Sequence, residues 1–202
     1  MAILEHPEQA AARLAGERSS VRRWNRDEYY RMARQGILSP DERVELIHGE
    51  VISLAPIGPP HRKAMIKLYD ILHDAAGHNF YVMPESPIVL ADNSEPQPDV
   101  AIARGPESAY DERHPEAGDV VLIVEVSDTT LTTDRTSKMR LYAQSGIPEY
   151  WIVNLVDRQL EVHREPSSIG YGSVQIYTPD QTITPLFALA AIKIADFIRP
   201  AS

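Results

Sequence analysis

The chain of 202 residues contains no cysteine and no apolar run that approaches the length of a membrane span. The lack of cysteine excludes disulfides, thiolate zinc sites and a cysteine nucleophile. A transmembrane helix needs about 20 consecutive apolar residues, so no such helix is expected. The N-terminal stretch carries Glu5, Glu8 and Arg13 and has no apolar core typical of a signal peptide. We therefore expect a cytoplasmic protein.

Several well-known catalytic motifs are also missing. The sequence has no G-x-S-x-G nucleophile elbow, no G-x-x-x-x-G-K-[ST] phosphate loop and no H-E-x-x-H helix. His73 and His78 are five residues apart, a spacing that does not bring two side chains to one helical face. Serine hydrolases with such an elbow, P-loop nucleotide hydrolases and zinc proteases of the H-E-x-x-H type are therefore not indicated.

Positive charge is scarce as well. The chain has 20 Lys and Arg against 29 Asp and Glu, and its net charge is -9. This balance argues against a generic nucleic-acid coat protein, which is usually basic. It leaves room for a nuclease, because carboxylates bind metal ions and a local basic patch can contact phosphates. The densest positive region, which taken alone indicates a solvated helix face, consists of Arg18, Arg22, Arg23, Arg26, Arg31 and Arg34.

Length and patterning indicate one mixed α/β domain. We expect a polar N-terminal arm at residues 1–24 and a single domain at residues 25–202. The predicted helices follow Asn25 and end near Gly36, run from His61 to residue 76, and start again at Thr132. The turn His48-Gly49 predicts a hairpin. Strands are predicted at residues 44–47, 50–54, 80–83, 87–90, 99–103, 120–126, 149–155, 160–163, 174–177 and 186–194.

The most informative feature is an acidic residue near the end of an apolar strand. Glu125 lies in the run from Val120 to Asp128, which is typical of a strand covered on both faces. Strand alternation should place Val121, Ile123 and Glu125 on one face. A buried carboxylate is costly unless it is paired, protonated or bound to a metal.

Two further residues complete a pattern that favours metal-dependent phosphodiester hydrolysis. Pro98-Asp99 opens another apolar strand, and Lys138 lies in the helix after Glu125. Two carboxylates on neighbouring strands can bind Mg²⁺ or Mn²⁺, which would polarise a phosphate and activate water. Lys138 could orient that water or offset charge on the phosphate. In simpler interpretations Asp99 merely starts a strand, Glu125 and Lys138 form a structural ion pair, and Lys138 is solvated.

These residues, taken in order, resemble a known family. The chain is similar over about residues 25–198 to the Uma-type restriction endonuclease family of the PD-(D/E)XK nuclease superfamily. The resemblance is carried by Glu45-Leu46-Ile47-His48-Gly49-Glu50, His61, Pro98-Asp99, Glu125-Val126-Ser127, Lys138 and Gly146-Ile147-Pro148-Glu149-Tyr150-Trp151.

The resemblance implies a restriction-endonuclease-like core, a central mixed sheet flanked by helices with the acidic residues on adjacent strands. Asp99 and Glu125 would then be the two motif carboxylates, both metal ligands and both catalytic. Ser127 stands where the motif's lysine is expected. Related nucleases supply this lysine from a neighbouring helix, and Lys138 fits that role.

The resemblance further implies a metal-dependent endonuclease that hydrolyses DNA as a homodimer. Glu45 and Glu50 are candidate supplementary metal ligands, although either could be a polar hairpin residue. His61, otherwise a helix-start residue, and Ser127 are candidate cleft residues. The alternative is a catalytically degenerate binding module, which the absence of a lysine at Ser127 and the acidic net charge favour. A different metal-dependent phosphoesterase is a third possibility.

Overall fold

The computed structural model describes residues 21–199, so most of the predicted N-terminal arm lies outside the described residues. The helices are α1 (Arg26–Arg34), α2 (Pro59–Ala76) and α3, which is continuous through Leu131–Thr133, Asp134–Lys138 and Met139–Gln144. Within residues 21–199, no helix has both the length and the apolar character needed to cross a membrane. The strands are β1 (Val44–Ile47), β2 (Glu50–Ser53), β3 (Phe80–Pro84), β4 (Val100–Arg104), β5 (Val120–Ser127), β6 (Glu149–Asn154), β7 (Gln159–Ser167), β8 (Gly170–Tyr177), β9 (Thr182–Ile183) and β10 (Ile192–Lys193).

A six-stranded mixed sheet in the order β3-β4-β5-β6-β7-β8 forms the centre of the fold, which confirms the predicted fold class. Only β5 and β6 are parallel, and α3 provides the crossover that parallel strands require. β4 runs antiparallel to β5 with Val100 opposite Val124. The start of β4 and the end of β5 therefore meet at one end of the sheet.

The two faces of the sheet carry separate apolar cores. On one face Leu68 and Leu72 of α2 pack in a cluster with Val124 of β5. On the other face Tyr142 of α3 packs in a cluster with Ile123. β5 is buried along its whole length. Burial on both faces explains why its sequence is almost continuously apolar rather than alternating.

A β-bulge changes the predicted alternation of β5. Ala103 pairs with Val120 and Ile102 with Leu122, so Val121 is the extra residue. Val121 consequently joins the cluster on the α2 face, whereas Ile123 belongs to the cluster on the α3 face. The prediction that Val121 shares a face with Ile123 and Glu125 is wrong, because the bulge shifts the phase by one residue.

The β1–β2 hairpin confirms the prediction from His48-Gly49. Both turn residues have positive φ, 50° and 77°, as a two-residue type I′ turn requires. Leu46 exchanges backbone hydrogen bonds with Glu95, and these tie the hairpin to the loop before β4. β1 is fully buried, and it carries the side chain of Glu45 into the interior.

Two predicted strands do not form as expected. Residues 87–90 make only an isolated bridge, between Val89 and Glu116; Pro87 lacks an N–H for a strand ladder. In residues 186–194 only Ile192–Lys193 is a strand. The backbone N–H of Leu186 instead donates to the buried carboxylate of Glu149 at 2.7 Å, so a side chain fixes this segment.

His163 on β7 is a buried histidine that lies between aromatic rings. Its ring centroid is 5.5 Å from that of Tyr150 and 5.8 Å from that of Tyr171. Among residues 21–199 neither of its ring nitrogens has a hydrogen-bond partner. Burial lowers the pKa of His163 below its usual value, because a charged ring would be poorly solvated there.

We expect His163 to make folding sensitive to acid. Since its pKa is lowered in the folded state, the unfolded chain takes up the proton first, and stability falls as the pH drops below about 6.5. The contribution is at most about 1.4 kcal/mol per pH unit. Urea denaturation between pH 7 and pH 5 should show a smaller loss for His163→Phe than for the wild type. His73→Gln, at an exposed position, is the control; a His163→Phe curve parallel to the wild type would contradict the account.

Candidate active site

The carboxylates of Asp99 and Glu125 lie at the end of the sheet where β4 begins and β5 ends. Asp99 directly precedes Val100, which pairs with Val124, so Asp99 lies next to Glu125 at this end of the sheet. They line a cavity of about 180 Å³ together with Glu45, His61, Asp128, Asp134 and Lys138.

Asp99 is held by hydrogen bonds to both oxygens. Oδ1 lies 2.9 Å from Nε2 of His61, and Oδ2 accepts from the backbone N–H of Val126 at 2.7 Å. Burial lowers the pKa of His61, but the hydrogen bond and negative charge of Asp99, helped by the charges of Asp128 and Glu85, raise it overall. His61 therefore fixes the orientation of Asp99.

Glu125 is buried, and its hydrogen bonds converge on one oxygen. Oε1 accepts from Lys138 Nζ at 3.0 Å and from the Tyr142 hydroxyl at 2.6 Å. Burial raises the pKa of Glu125 to about 8; the charge of Lys138 opposes this shift, and the charges of Asp134, Asp99 and Glu45 add to it. The carboxyl group therefore holds a proton far more readily near neutral pH than an exposed glutamate does.

Lys138 is also buried and lies between two carboxylates. Its Nζ is 3.0 Å from Glu125 Oε1 and 3.4 Å from Glu45 Oε1. Burial lowers the pKa of Lys138, but the charges of Glu125, Glu45 and Asp134 outweigh that effect and raise it. Lys138 thus faces the cavity as an ammonium ion. Glu45 is fixed in turn, since its Oε2 accepts from the backbone N–H of Gln97 at 3.1 Å.

A π-helical turn in α3 presents three side chains to the site. The turn spans Asp134–Lys138, and the backbone N–H of Met139 donates to the carbonyl of Asp134, five residues earlier. Asp134, Lys138 and Tyr142 are four residues apart and share a face of the helix. Turns of this kind are frequent at functional sites in proteins.

The structure adds Asp134 and Tyr142 to the residues expected from sequence. The Oδ2 of Asp134 accepts from the hydroxyls of Ser127 at 2.7 Å and Thr130 at 2.6 Å. Burial raises the pKa of Asp134, although these hydrogen bonds and Lys138 oppose the shift. The sequence signal was the four-residue spacing to Lys138. Ser127 is fully buried and contacts Asp134, so it supports the cavity from behind and does not line it.

The structure does not bring Glu50 to the cavity, which corrects its candidacy as a supplementary metal ligand. Glu50 lies beside the hairpin turn, opposite Ile47. Glu45 lies two residues before Ile47 in β1, away from the turn. The Glu50 side chain is 52% exposed and forms an ion pair with Arg23. The hairpin register, which places Glu50 next to the turn, keeps it away from the cavity.

Three members of the arginine-rich region, Arg22, Arg23 and Arg26, form ion pairs with carboxylates. Arg22 pairs with Glu28, and Arg26 pairs with Glu95 at 2.6 Å. Arg18 lies outside the described residues.

Comparisons with known proteins agree with this fold. The family model described as "Uma2: Putative restriction endonuclease" matches residues 26–195. The structure is similar to the crystal structure of a protein from Anabaena variabilis ATCC 29413, described as a putative nuclease belonging to DUF820. The TM-score is 0.65 and the sequence identity 14%; the match covers 86% of this chain and 96% of the other. At that identity the likeness shows a shared fold. No curated protein matches the chain significantly.

The raised pKa of Glu125 predicts an unusual pH dependence for Glu125→Gln. Between about pH 4.5 and pH 8 the folded wild type retains a proton that the unfolded chain releases, so its stability falls as the pH rises. Glutamine has no such proton. The wild type should therefore lose up to about 1.4 kcal/mol per pH unit relative to Glu125→Gln.

Urea denaturation at pH 5, 6, 7 and 8 in the presence of a chelator measures this difference. Glu50→Gln makes the same chemical change at an exposed carboxylate. Its free energy of unfolding should vary with pH as that of the wild type does. If the stability of Glu125→Gln depended on pH in the same way as that of the wild type, burial would not disfavour the charged form of Glu125.

Proposed function

The chain belongs to the Uma2 family, and from that premise and the geometry of the site we propose that it is a metal-dependent endonuclease that hydrolyses phosphodiester bonds of DNA. The observation that carries the proposal is that Asp99, which directly precedes β4, and Glu125 of β5 line one cavity with the Lys138 ammonium group. Two acidic oxygen donors beside a buried cation suit a reaction in which negative charge grows on a phosphate.

The donor set fits Mg²⁺ or Mn²⁺. Within residues 21–199 no three His, Asp or Glu side chains cluster tightly enough to form an all-protein metal site. Mg²⁺ does not need such a cage, because it commonly binds one or two carboxylates and keeps several waters. A divalent ion would also offset the repulsion from Asp99, Asp134 and Glu45 that contributes to the raised pKa of Glu125.

Each neighbouring side chain has a role in this proposal. When bound, the ion would polarise the phosphate and lower the pKa of a water molecule. Asp99 and Glu125 would hold the ion. His61 orients Asp99, and Tyr142 orients Glu125 through its 2.6 Å hydrogen bond. Lys138 would offset charge on the phosphate, in the role of a lysine supplied from a neighbouring helix.

A second candidate function is a catalytically degenerate DNA-binding or interaction module. It is favoured by Ser127 at the position of the motif's lysine and by the contacts of Lys138 with two carboxylates, Glu125 and Glu45. These contacts neutralise the ammonium within the protein. The two candidates differ in metal binding and in cleavage.

Cleavage of supercoiled plasmid and of short duplexes at low salt separates them. The proposal predicts nicking or cutting with Mg²⁺ or Mn²⁺ and none with EDTA. Asp99→Asn, Glu125→Gln and Lys138→Met should each reduce the rate on the order of 100-fold or more, without additivity, since the groups act as a unit.

Glu50→Gln is the matched control and should cut like the wild type. Cleavage that persists in all three site variants would point to another site. No cleavage by the wild type, together with equal Mn²⁺ affinity of wild type and Glu125→Gln in calorimetry, would favour the degenerate module.

We also propose a homodimer, because an enzyme that cuts both strands commonly uses two sites. β8 is an outer strand of the sheet, and its Val174 and Ile176 are 53% and 57% exposed. Apolar side chains on an outer strand are suited to contact a second copy. Light scattering that gives the mass of one chain at micromolar concentration would contradict the dimer.

A further inference from the structure

A second cavity, which we term the basic groove, lies on the other side of the first turn of α2. It has a volume of about 470 Å³ and contains no Asp or Glu among its lining residues in the described part of the chain. Its charged residues are Lys63, Lys67, Arg158 and Arg199. Four cations around one groove stand out in a chain whose net charge is -9.

We propose that the basic groove binds the phosphate backbone of a DNA duplex whose scissile strand enters the catalytic cavity. The inference rests on the proposed endonuclease function and specifies how the substrate is held. Phosphate contacts supply much of the affinity of DNA-binding proteins and set the position of the duplex. An acidic protein therefore needs a localised positive surface to bind DNA.

The basic groove and the catalytic cavity adjoin each other. Pro59 and Pro60 line the groove, and His61, the next residue of α2, lines the catalytic cavity. Leu155 of the groove donates its backbone N–H to the carbonyl of Ser127 at 2.9 Å. Ser127 is two residues from Glu125, so the groove wall is attached directly to the end of the catalytic strand.

The spacing of the cations suits a phosphate backbone. Lys63 and Lys67 are one helical turn apart, about 6 Å along the axis of α2. One DNA strand carries a phosphate about every 3.4 Å of its axis, so the two lysines span roughly two phosphates. Lys67 Nζ already donates to the carbonyl of Asp196 at 3.1 Å, a neutral acceptor that leaves its charge in place.

The acidic residue next to Arg158 in the chain does not cancel its charge. Asp157, adjacent to Arg158 in the chain, accepts from Asn154 at 2.9 Å and lies 3.8 Å from Arg135. Its carboxylate is therefore directed towards other partners. The arginines near α1 are less suited to DNA, since Arg23 pairs with Glu50 and Arg26 with Glu95.

The test compares two variants that remove the same amount of charge. Lys63→Gln/Arg158→Asn alters the basic groove; asparagine is used because Arg158 has a φ of 55°, which asparagine tolerates. Arg104→Gln/Arg140→Gln alters exposed arginines at the far end of β4 and on α3. Circular dichroism and urea midpoints establish that both variants fold.

Binding of a fluorescent duplex is followed by anisotropy in EDTA from about 50 to 200 mM salt, a range in which phosphate contacts dominate. The groove variant should bind at least 10-fold more weakly at the lowest salt. Its slope of log K against log salt should be shallower by roughly 1.8, about 0.9 for each lost phosphate contact. The control variant should match the wild type.

The proposal that the basic groove binds DNA would be overturned by unchanged affinity and slope in the groove variant. It would also be overturned if the wild type bound no duplex. Cleavage assays on the same proteins keep the two proposals apart. If the wild type cleaves DNA and the groove variant binds and cleaves it equally well, only the proposed role of the groove is refuted. Loss of binding in the groove variant, with no cleavage by the wild type in Mg²⁺ or Mn²⁺, would refute the endonuclease and support the groove.

Discussion

The contact between the Lys138 ammonium group and the Glu125 carboxyl group is the interaction on which the site depends. Both side chains are buried, and a buried ammonium group without acidic partners would be strongly unfavourable. Their 3.0 Å separation, with Glu45 as a second partner of Lys138, makes the burial tolerable. β5, α3 and β1 must therefore converge, and each is anchored to the sheet or to the loop before β4. Burial raises the pKa of Glu125 even beside this ammonium group, and the negative charges of Asp134, Asp99 and Glu45 raise it further.

This surplus of negative charge connects the fold to the proposed chemistry. Asp99, Asp134 and Glu45 all raise the pKa of Glu125, so the site carries more carboxylates than Lys138 can balance. A divalent cation would relieve the imbalance. More acidic than basic residues line the cavity itself, which is why the adjoining basic groove matters for a chain of net charge -9. The proposed metal site and the proposed DNA-binding groove are thus two neighbouring surfaces joined by the first turn of α2.

Much of the central sheet followed from local patterns in the sequence. The apolar run around Glu125 predicted a strand buried on both faces, and Pro98-Asp99 and His48-Gly49 marked a strand start and a hairpin. The family resemblance, confirmed by the match over residues 26–195, ordered these elements. Other features depend on tertiary packing that no local pattern encodes. The bulge at Val121 arises from pairing with β4, and Glu45 rather than Glu50 reaches the site because β1 is buried beside Lys138. The π-helical turn at Asp134–Lys138 is likewise a local departure from α-helical geometry, which side-chain periodicity alone does not reveal.

The most direct measurement of the central claim is the anomalous scattering of Mn²⁺ in crystals of the protein. The data are recorded near pH 8, because the pKa of Glu125 is raised to about 8 and a large fraction of this carboxyl group is ionised there. The account predicts a peak bound by both Asp99 and Glu125 within about 2.5 Å of a carboxylate oxygen of each, and no peak at that position in Glu125→Gln. A saturating Mn²⁺ soak with no peak in this cavity, or a peak that persists unchanged in Glu125→Gln, would contradict it.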